Sequence, residues 1–157
     1  MRTSPRSRAA EPAIRWAAGS DDLSGALAVR DRVFCGEQGV PKDEEVDLLD
    51  EQALHLVALD PHGGAVIGTL RLLISGGEAK IGRVAVERDW RRRGVASRML
   101  RAALEAARGR GCTSARLAAQ LQATELYEAV GFTVNSTTFE EAGIPHVWME
   151  LRLEPAG

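Results

Sequence analysis

The sequence predicts an α/β fold built on a mixed, mostly antiparallel sheet flanked by helices, and three features support this. Two apolar segments, residues 54–60 and 65–75, are joined by Pro-His-Gly-Gly, a sequence typical of a β-hairpin turn. A third strand-like segment, residues 79–87, follows a Gly-Gly-Glu turn and extends the hairpin into a meander. Beyond it, strand-like and helical segments alternate, which indicates a mixed sheet.

The N-terminal part of the chain is expected to supply one strand, one helix and a long loop. Residues 13–19 resemble a short strand, and Ser20 is the predicted N-cap of a helix with aspartates in its first turn. Apolar residues at helical spacing continue this helix to Phe34. Residues 36–52 are acidic and contain glycine and proline, so they predict a loop with at most one helical turn.

The C-terminal half predicts two helices and three more strands. An apolar stripe at i, i+3, i+4, i+7, i+8 and i+11 begins at Ala96 and defines a helix that Gly109 or Gly111 ends. A second helical face runs from Ala123 to Val130 and stops at Gly131. The strands are predicted at residues 114–120, 132–139 and 146–153, the last with strict alternation of apolar and polar residues.

Composition limits the classes of function. The 157 residues suit one domain, predicted over 13–154, after a disordered tail at 1–12 for which an organellar presequence is the alternative. A net charge of −2 argues against nucleic-acid binding, and the absence of a long apolar run argues against a membrane segment. The two cysteines form no metal-binding pattern, so we expect reduced thiols, no metal and a cytoplasmic location.

The segment Asp89 to Leu100, DWRRRGVASRML, places three arginines and a glycine directly before a helix. The first N–H groups of a helix have no partners and its N-terminal end is partly positive, so a phosphate fits there. Glycine lets a phosphate approach the backbone closely. The segment therefore predicts a pyrophosphate site, with a solvated basic loop that caps a surface helix as the alternative.

Several ordered motifs resemble the GNAT N-acetyltransferases. Arg91-x-x-Gly94-x-Ala96 is similar to the family's [Q/R]-x-x-G-x-[G/A] turn, and LYEAVGF at 126–132 is similar to its FYEKLGF element. The similarity is sharpest to the ElaA-like branch and runs from about residue 14 to 153. The segments that carry it are VRDRVFCGEQG at 29–39, HLVAL at 55–59, GRVAV at 82–86, LAAQ at 117–120 and EEAGIPHVWM at 140–149.

The resemblance implies acetyl-CoA as co-substrate and a sheet that splays between its fourth and fifth strands. Pantetheine would pair with the exposed backbone near Val84 and Val86 like an added strand, and the pyrophosphate would bind the N–H groups of the turn. The arginines would reach the 3′-phosphate, and the Ser97 hydroxyl would add a bond. The implied cofactor-binding residues are Val84, Ala85, Val86, Arg91, Arg92, Arg93, Gly94, Val95, Ala96 and Ser97.

The resemblance also implies catalytic residues. Tyr127, the only tyrosine, matches the family's general acid, which protonates the departing thiolate; a packing role on the apolar helix face is the alternative. Glu37 is predicted as the general base, with a surface glutamate as the alternative and Glu87 as a second candidate. The substrate cleft is expected to contain the side chains of His55, Gln120 and His146. For each histidine a structural role is expected, with direct proton transfer as the alternative.

The implied function is acetyl transfer to a primary amine by direct attack, with a non-catalytic acyl-CoA-binding module or sensor as the alternative. The acceptor amine is not specified by the sequence, although the acidic cluster between Asp43 and Asp50 would favour a cationic one. We expect no nucleic-acid or membrane partner. An exposed edge at the C-terminal strand could support a homodimer.

Overall fold

In a computed structural model, which describes residues 10–154, eight strands form one mixed sheet in the order β1-β2-β3-β4-β5-β8-β6, with β7 also paired to β8. All neighbouring pairs are antiparallel except β4 and β5, which are parallel. The predicted α/β fold with a mostly antiparallel sheet is confirmed. Residues 1–9 of the predicted tail lie outside the described part. The strands are β1 (Ala13–Trp16), β2 (Leu54–Leu59), β3 (Val66–Ser75), β4 (Glu78–Val86), β5 (Ser114–Gln120), β6 (Thr133–Val134), β7 (Phe139–Glu141) and β8 (Ile144–Arg152).

Helices cover both faces of the sheet: α1 (Ser20–Arg30), α2 (Lys42–Glu45), α3 (Val95–Gly109) and α4 (Thr124–Val130). Alternate residues of β2 point to opposite layers. Leu56 belongs to the core under α3, and Val57 packs with Ala26 of α1. Among residues 10–154, no helix is long and apolar enough to span a bilayer.

Three local predictions differ from the structure. Gly19, at φ 134°, occupies the N-cap of α1, and Ser20 is the first helical residue. Glycine reaches this φ without a steric penalty, whereas serine would not. After Arg30 the helix continues as a π-helical segment over Asp31–Glu37, into the predicted loop. The single strand predicted at 132–139 is two short strands, β6 and β7, separated by irregular backbone.

The helix α1 approaches the sheet very closely at Gly25. A Cβ atom at this position would lie 2.5 Å from Cγ2 of Val66 on β3, so any larger residue would push the helix away. The buried face of α1 includes Val29 and Arg30. Glycine therefore lets α1 hold its buried arginine against the strands that lead into the splayed part of the sheet.

An ionic network attaches the acidic loop to the sheet. Arg30 is 1% exposed and donates to Glu45 and, at 2.8 and 3.2 Å, to both carboxylate oxygens of Asp50. Arg71 on β3 forms two hydrogen bonds of 2.7 and 2.8 Å to Asp47 and one of 3.0 Å to Asp50. Such bidentate charge-assisted pairs are the strong members of their class. The loop is thereby fixed at one end of the sheet.

The Arg71 pair makes a pH-dependent contribution to stability. Its hydrogen bonds lower the pKa of Asp47 from 3.8 to about 2. A carboxyl group with a lowered folded-state pKa stabilises the fold above its unfolded pKa, and this stabilisation is lost as the pH falls through the folded pKa. We expect Asp47→Asn to lose about 1–2 kcal/mol of unfolding free energy at neutral pH, after solvent screening of this partly exposed group.

The difference should shrink as the pH falls from about 4 towards 2, which urea unfolding at a series of pH values measures. Asp43→Asn on the exposed side of α2 is the matched control, expected to change stability by less than about 0.5 kcal/mol. A pH-independent difference for Asp47→Asn would contradict the ion-pair account.

Candidate active site

The sheet opens between β4 and β5. The two parallel strands pair only over Glu78–Lys80 and 114–116, and from Ile81 onwards β4 diverges from β5 within the described residues. A cavity of about 920 Å³ fills the gap. The predicted splay between the fourth and fifth strands is therefore present.

A β-bulge produces the divergence. Thr69 of β3 faces Ala85, but Arg71 faces Gly82, so two residues of β4 lie opposite the single residue between them on β3. One of these two, Arg83, has a φ of 53°, in the left-handed region that few non-glycine residues adopt. A bulge bends its strand and increases the local twist. The bend directs the end of β4 away from β5.

Most of the predicted site residues meet at this cavity. It is lined by the end of β4, the arginine–glycine turn, the first turn of α3, one face of α4 and the adjoining ends of β5 and β8. The predicted residues among the lining are Val84, Ala85, Val86, Arg91, Arg92, Gly94, Val95, Ala96, Ser97, Gln120, Tyr127 and His146. Arg93, Glu37 and His55 are not among them.

The arginine–glycine turn presents backbone donors to the cavity. Gly94 caps α3 with a φ of 78°, and no side chain of residues 10–154 caps the helix. The N–H of Arg98 bonds to the Gly94 carbonyl, which leaves the preceding N–H groups of α3 without helical partners. A Cβ added at Gly94 would meet no atom within 4 Å, so the space over the turn is open. These features fit an anion such as a pyrophosphate.

The three arginines of the turn have different surroundings. Arg91 donates from Nε to the Val86 carbonyl at 2.8 Å and from Nη2 to Glu37 at 2.8 Å, so it ties the turn to β4. Arg92 has a φ of 60° and lines the cavity. The guanidinium of Arg93 lies 4.9 Å from the centroid of the Trp90 ring, a cation–π contact.

The ion pair with Arg91 defines the chemistry of Glu37. The hydrogen bond from Arg91 lowers the pKa of Glu37, and Arg88 contributes a second positive charge at 3.8 Å. A carboxylate whose pKa is lowered accepts a proton less readily. The role of Glu37 as general base stays a prediction, and its contacts favour a role in holding Arg91. Glu87, the second candidate, accepts a hydrogen bond of 2.7 Å from Arg32.

Tyr127 lies in the cavity wall on α4 with 7% of its surface exposed. Its ring packs edge-on against Phe132, with centroids 6.3 Å apart. Burial raises the pKa of Tyr127 to about 12, because desolvation disfavours the phenolate. The hydroxyl therefore remains protonated at neutral pH, as a proton donor must. This position is compatible both with a catalytic role and with a packing role for Tyr127.

The two candidate histidines have separate locations. His55 lies on β2, lines a smaller cavity of about 220 Å³, and its Nε2 is 2.9 Å from the Asp50 carbonyl. The structure does not bring it to the main cavity. His146 on β8 lines the main cavity and is paired in register with Gln120 on the adjacent strand β5. Gln120 donates to Gln38 at 2.9 Å, so a glutamine bridge crosses the mouth of the gap.

The acidic cluster expected to attract a cationic amine is largely paired with arginines. Arg83, at the bulge, donates to the Glu45 carbonyl at 3.0 Å and to Asp47 at 3.3 Å. Together, the three arginines form ion pairs with three carboxylates of the loop, those of Glu45, Asp47 and Asp50. Sequence reasoning missed these three arginines, although the positions of Arg30 and Arg71 among apolar residues were a signal that they had partners.

Comparisons with known proteins agree with this geometry. The family described as acetyltransferase (GNAT) domain matches residues 20–153. The uncharacterized N-acetyltransferase YjcF of Bacillus subtilis (strain 168) is 36% identical over 130 residues, which are 82% of this chain and 91% of that protein. An acyl-CoA N-acyltransferase from Pseudomonas aeruginosa superposes with a TM-score of 0.76 at 30% identity, over 88% of this chain and 99% of that one. Escherichia coli ElaA gives a TM-score of 0.76 at 25% identity, over 88% and 99%.

The burial of Tyr127 leads to a prediction that absorbance measures directly, because the chain contains no other tyrosine. We expect the tyrosinate absorbance of the folded protein to rise with a midpoint near pH 12, against about 10 in the urea-unfolded chain. The raised pKa stabilises the fold below about pH 10, and this stabilisation is lost as the pH rises towards 12. A midpoint near 10 in the folded protein would show that Tyr127 is not buried.

Proposed function

The chain belongs to the GNAT acetyltransferase family and is an acyltransferase, and on this premise we propose that it moves an acetyl group from acetyl-CoA to a primary amine by direct attack. The observation that carries the proposal is the gap between β4 and β5, which opens onto the uncapped start of α3. One wall of the gap offers strand backbone and its end offers helix N–H groups. An acyl-CoA has an amide chain and a pyrophosphate to match them.

The donor would be held by the backbone more than by side chains. The edge of β4 from Val84 to Val86 would pair with the pantetheine amides, and the N–H groups from Arg92 to Ala96 would bind the pyrophosphate. Of the three arginines of the turn, Arg92 is the best suited to bind a phosphate. Arg91 is hydrogen-bonded to Glu37, and Arg93 makes a cation–π contact with Trp90. The name of the Pseudomonas aeruginosa relative, an acyl-CoA N-acyltransferase, supports an acyl-CoA donor.

The reaction would use two groups of this chain at the thioester. Backbone N–H groups near Val84 would polarise the thioester carbonyl and stabilise the charge that develops on its oxygen. Tyr127 would donate its proton to the departing thiolate, which a neutral phenol in the cavity wall can do. The acceptor amine would enter the cavity on the side lined by Gln120 and His146.

The proposed binding of pyrophosphate at the arginine–glycine turn can be tested by substitution of Gly94. We expect Gly94→Glu to weaken acetyl-CoA binding at least about 100-fold in calorimetry, because it introduces bulk and negative charge where the pyrophosphate would bind. Gly94→Ala adds the same left-handed backbone strain without the charge, so the difference between the two variants isolates the electrostatic effect. Gly109→Glu, at the opposite end of α3, is the charge control. Affinity within about twofold of wild type for Gly94→Glu would contradict the proposed site.

The general acid can be tested with Tyr127→Phe, which removes only the hydroxyl. We expect turnover across a panel of primary amines to fall about 10²–10⁴-fold, with acetyl-CoA affinity and melting temperature nearly unchanged. Thiol release, calorimetry and thermal unfolding measure the three quantities. Full turnover with a lowered melting temperature would assign Tyr127 to packing. Acetyl-CoA binding without turnover of any amine by the wild type would favour the sensor function instead.

A further inference from the structure

His146 lies in the wall of the main cavity, and neither the proposed binding of acyl-CoA at the arginine–glycine turn nor the proposed proton donation by Tyr127 involves it. This residue is 7% exposed and lines the main cavity, at a position on β8 opposite Gln120 on one side and Phe139 of β7 on the other. The Phe139 ring stacks on it with centroids 5.9 Å apart and planes at 25°. Two strands and a stacked ring therefore hold the imidazole in one orientation at the cavity wall.

The backbone fixes which ring nitrogen carries the proton. Nδ1 of His146 lies 2.6 Å from the carbonyl oxygen of Ile144. A carbonyl oxygen only accepts hydrogen bonds, so Nδ1 must be the protonated nitrogen of the neutral ring. The lone pair is then on Nε2, at the edge of the ring that is turned away from this backbone contact. His55 shows the opposite arrangement, since its Nε2 contacts the Asp50 carbonyl.

One carboxylate group lies close to Nε2. Glu141 of β7 has a carboxylate oxygen 3.7 Å from this nitrogen. The side chains next to it on β5 are the uncharged Gln120 and its neighbours. The cations of Lys80 and Arg116 lie farther along the sheet, where both contact the Trp148 ring. Glu37, in contrast, is hydrogen-bonded to Arg91, which lowers the pKa of its carboxyl group.

We propose that Nε2 of His146 is the general base that deprotonates the acceptor amine, an inference that rests on the proposed acetyl transfer. Nε2 takes a proton from the ammonium form of the acceptor and frees the nitrogen lone pair. The lone pair forms the C–N bond with the thioester carbonyl carbon, and the C–S bond breaks with its electron pair on sulfur. Tyr127 protonates the sulfur and recovers a proton from the new amide nitrogen, while His146 releases its proton to water.

The tautomer is the direct test, and the chain has only three histidines to assign. Correlation of ring nitrogens with carbon-bound ring protons by NMR distinguishes the two neutral forms. We expect His146 to carry its proton on Nδ1 and His55 to carry it on Nε2, with His55→Gln and His146→Gln providing the assignments. A neutral His146 protonated on Nε2 would overturn the proposal, because that nitrogen would have no lone pair to offer.

Turnover gives an independent test, with two amines of nearly equal shape. Ethylamine is protonated at neutral pH, whereas trifluoroethylamine is largely the free base and does not need deprotonation. We expect His146→Gln to lower turnover of ethylamine about 100-fold or more and of trifluoroethylamine less than about tenfold, each relative to wild type. Acetyl-CoA affinity should remain within about twofold. His55→Gln is the control for loss of a buried histidine outside the cavity.

An equal loss with both amines would show that His146 is only structural, and an amine-selective loss in Glu37→Gln but not in His146→Gln would assign the base to Glu37. Either result overturns the proposal while leaving acetyl transfer intact. Wild-type protein that binds acetyl-CoA but acetylates neither these amines nor any other primary amine would contradict the proposed function instead. In that case the tautomer alone decides whether Nε2 can accept a proton.

Discussion

The incomplete pairing of β4 with β5 is the constraint on which the rest of the structure depends. Backbone N–H and C=O groups need partners, and a sheet interior normally supplies them on both sides of each strand. Here the two parallel strands pair at one end only, and the bulge at Arg83 turns the remainder of β4 away. The resulting edge lies inside the protein, where an extended amide chain can provide the missing partners.

The ionic network explains how such a gap is kept open. Arg83 is the residue at the bulge, and its guanidinium is bound to the Glu45 carbonyl and to Asp47. These acceptors are themselves fixed by Arg30 and Arg71, which are 1% and 5% exposed. Each of these two buried guanidinium groups is paired with carboxylates, as burial of charge requires. The acidic loop thus supports the strained part of β4.

Periodicity and turn sequences predicted most of the fold because those patterns report local structure. The meander, the stripe on α3 and the strand–helix–strand end of the chain were all recognised this way, and most residues of the predicted pyrophosphate site line one cavity. The errors have physical causes. The π-helical extension of α1 and the short strands β6 and β7 depend on tertiary packing that local propensity does not encode.

The pairing of side chains was harder to predict than their identities. Glu37 binds Arg91 across 54 positions of sequence, and Arg71 reaches Asp47 across 24. No local pattern reveals such a partner, so an acid that is neutralised by a distant arginine resembles a free acid in the sequence. The resemblance to a known family named Tyr127 and the turn as site residues, which stays a prediction, but it gave no means of separating His146 from His55. The structure separates them by location, since His146 lines the main cavity and His55 a smaller one, and by the backbone carbonyl that each ring contacts.

Amide hydrogen exchange with and without acetyl-CoA tests the central claim, that the internal edge of β4 and the start of α3 bind the donor. The account predicts slower exchange over Val84 to Val86 and Arg92 to Ser97 when acetyl-CoA is present. Exchange over Glu78–Lys80, which β5 already pairs, should be unchanged. Protection confined to other parts of the chain, with the edge of β4 exchanging equally fast in both states, would contradict the account.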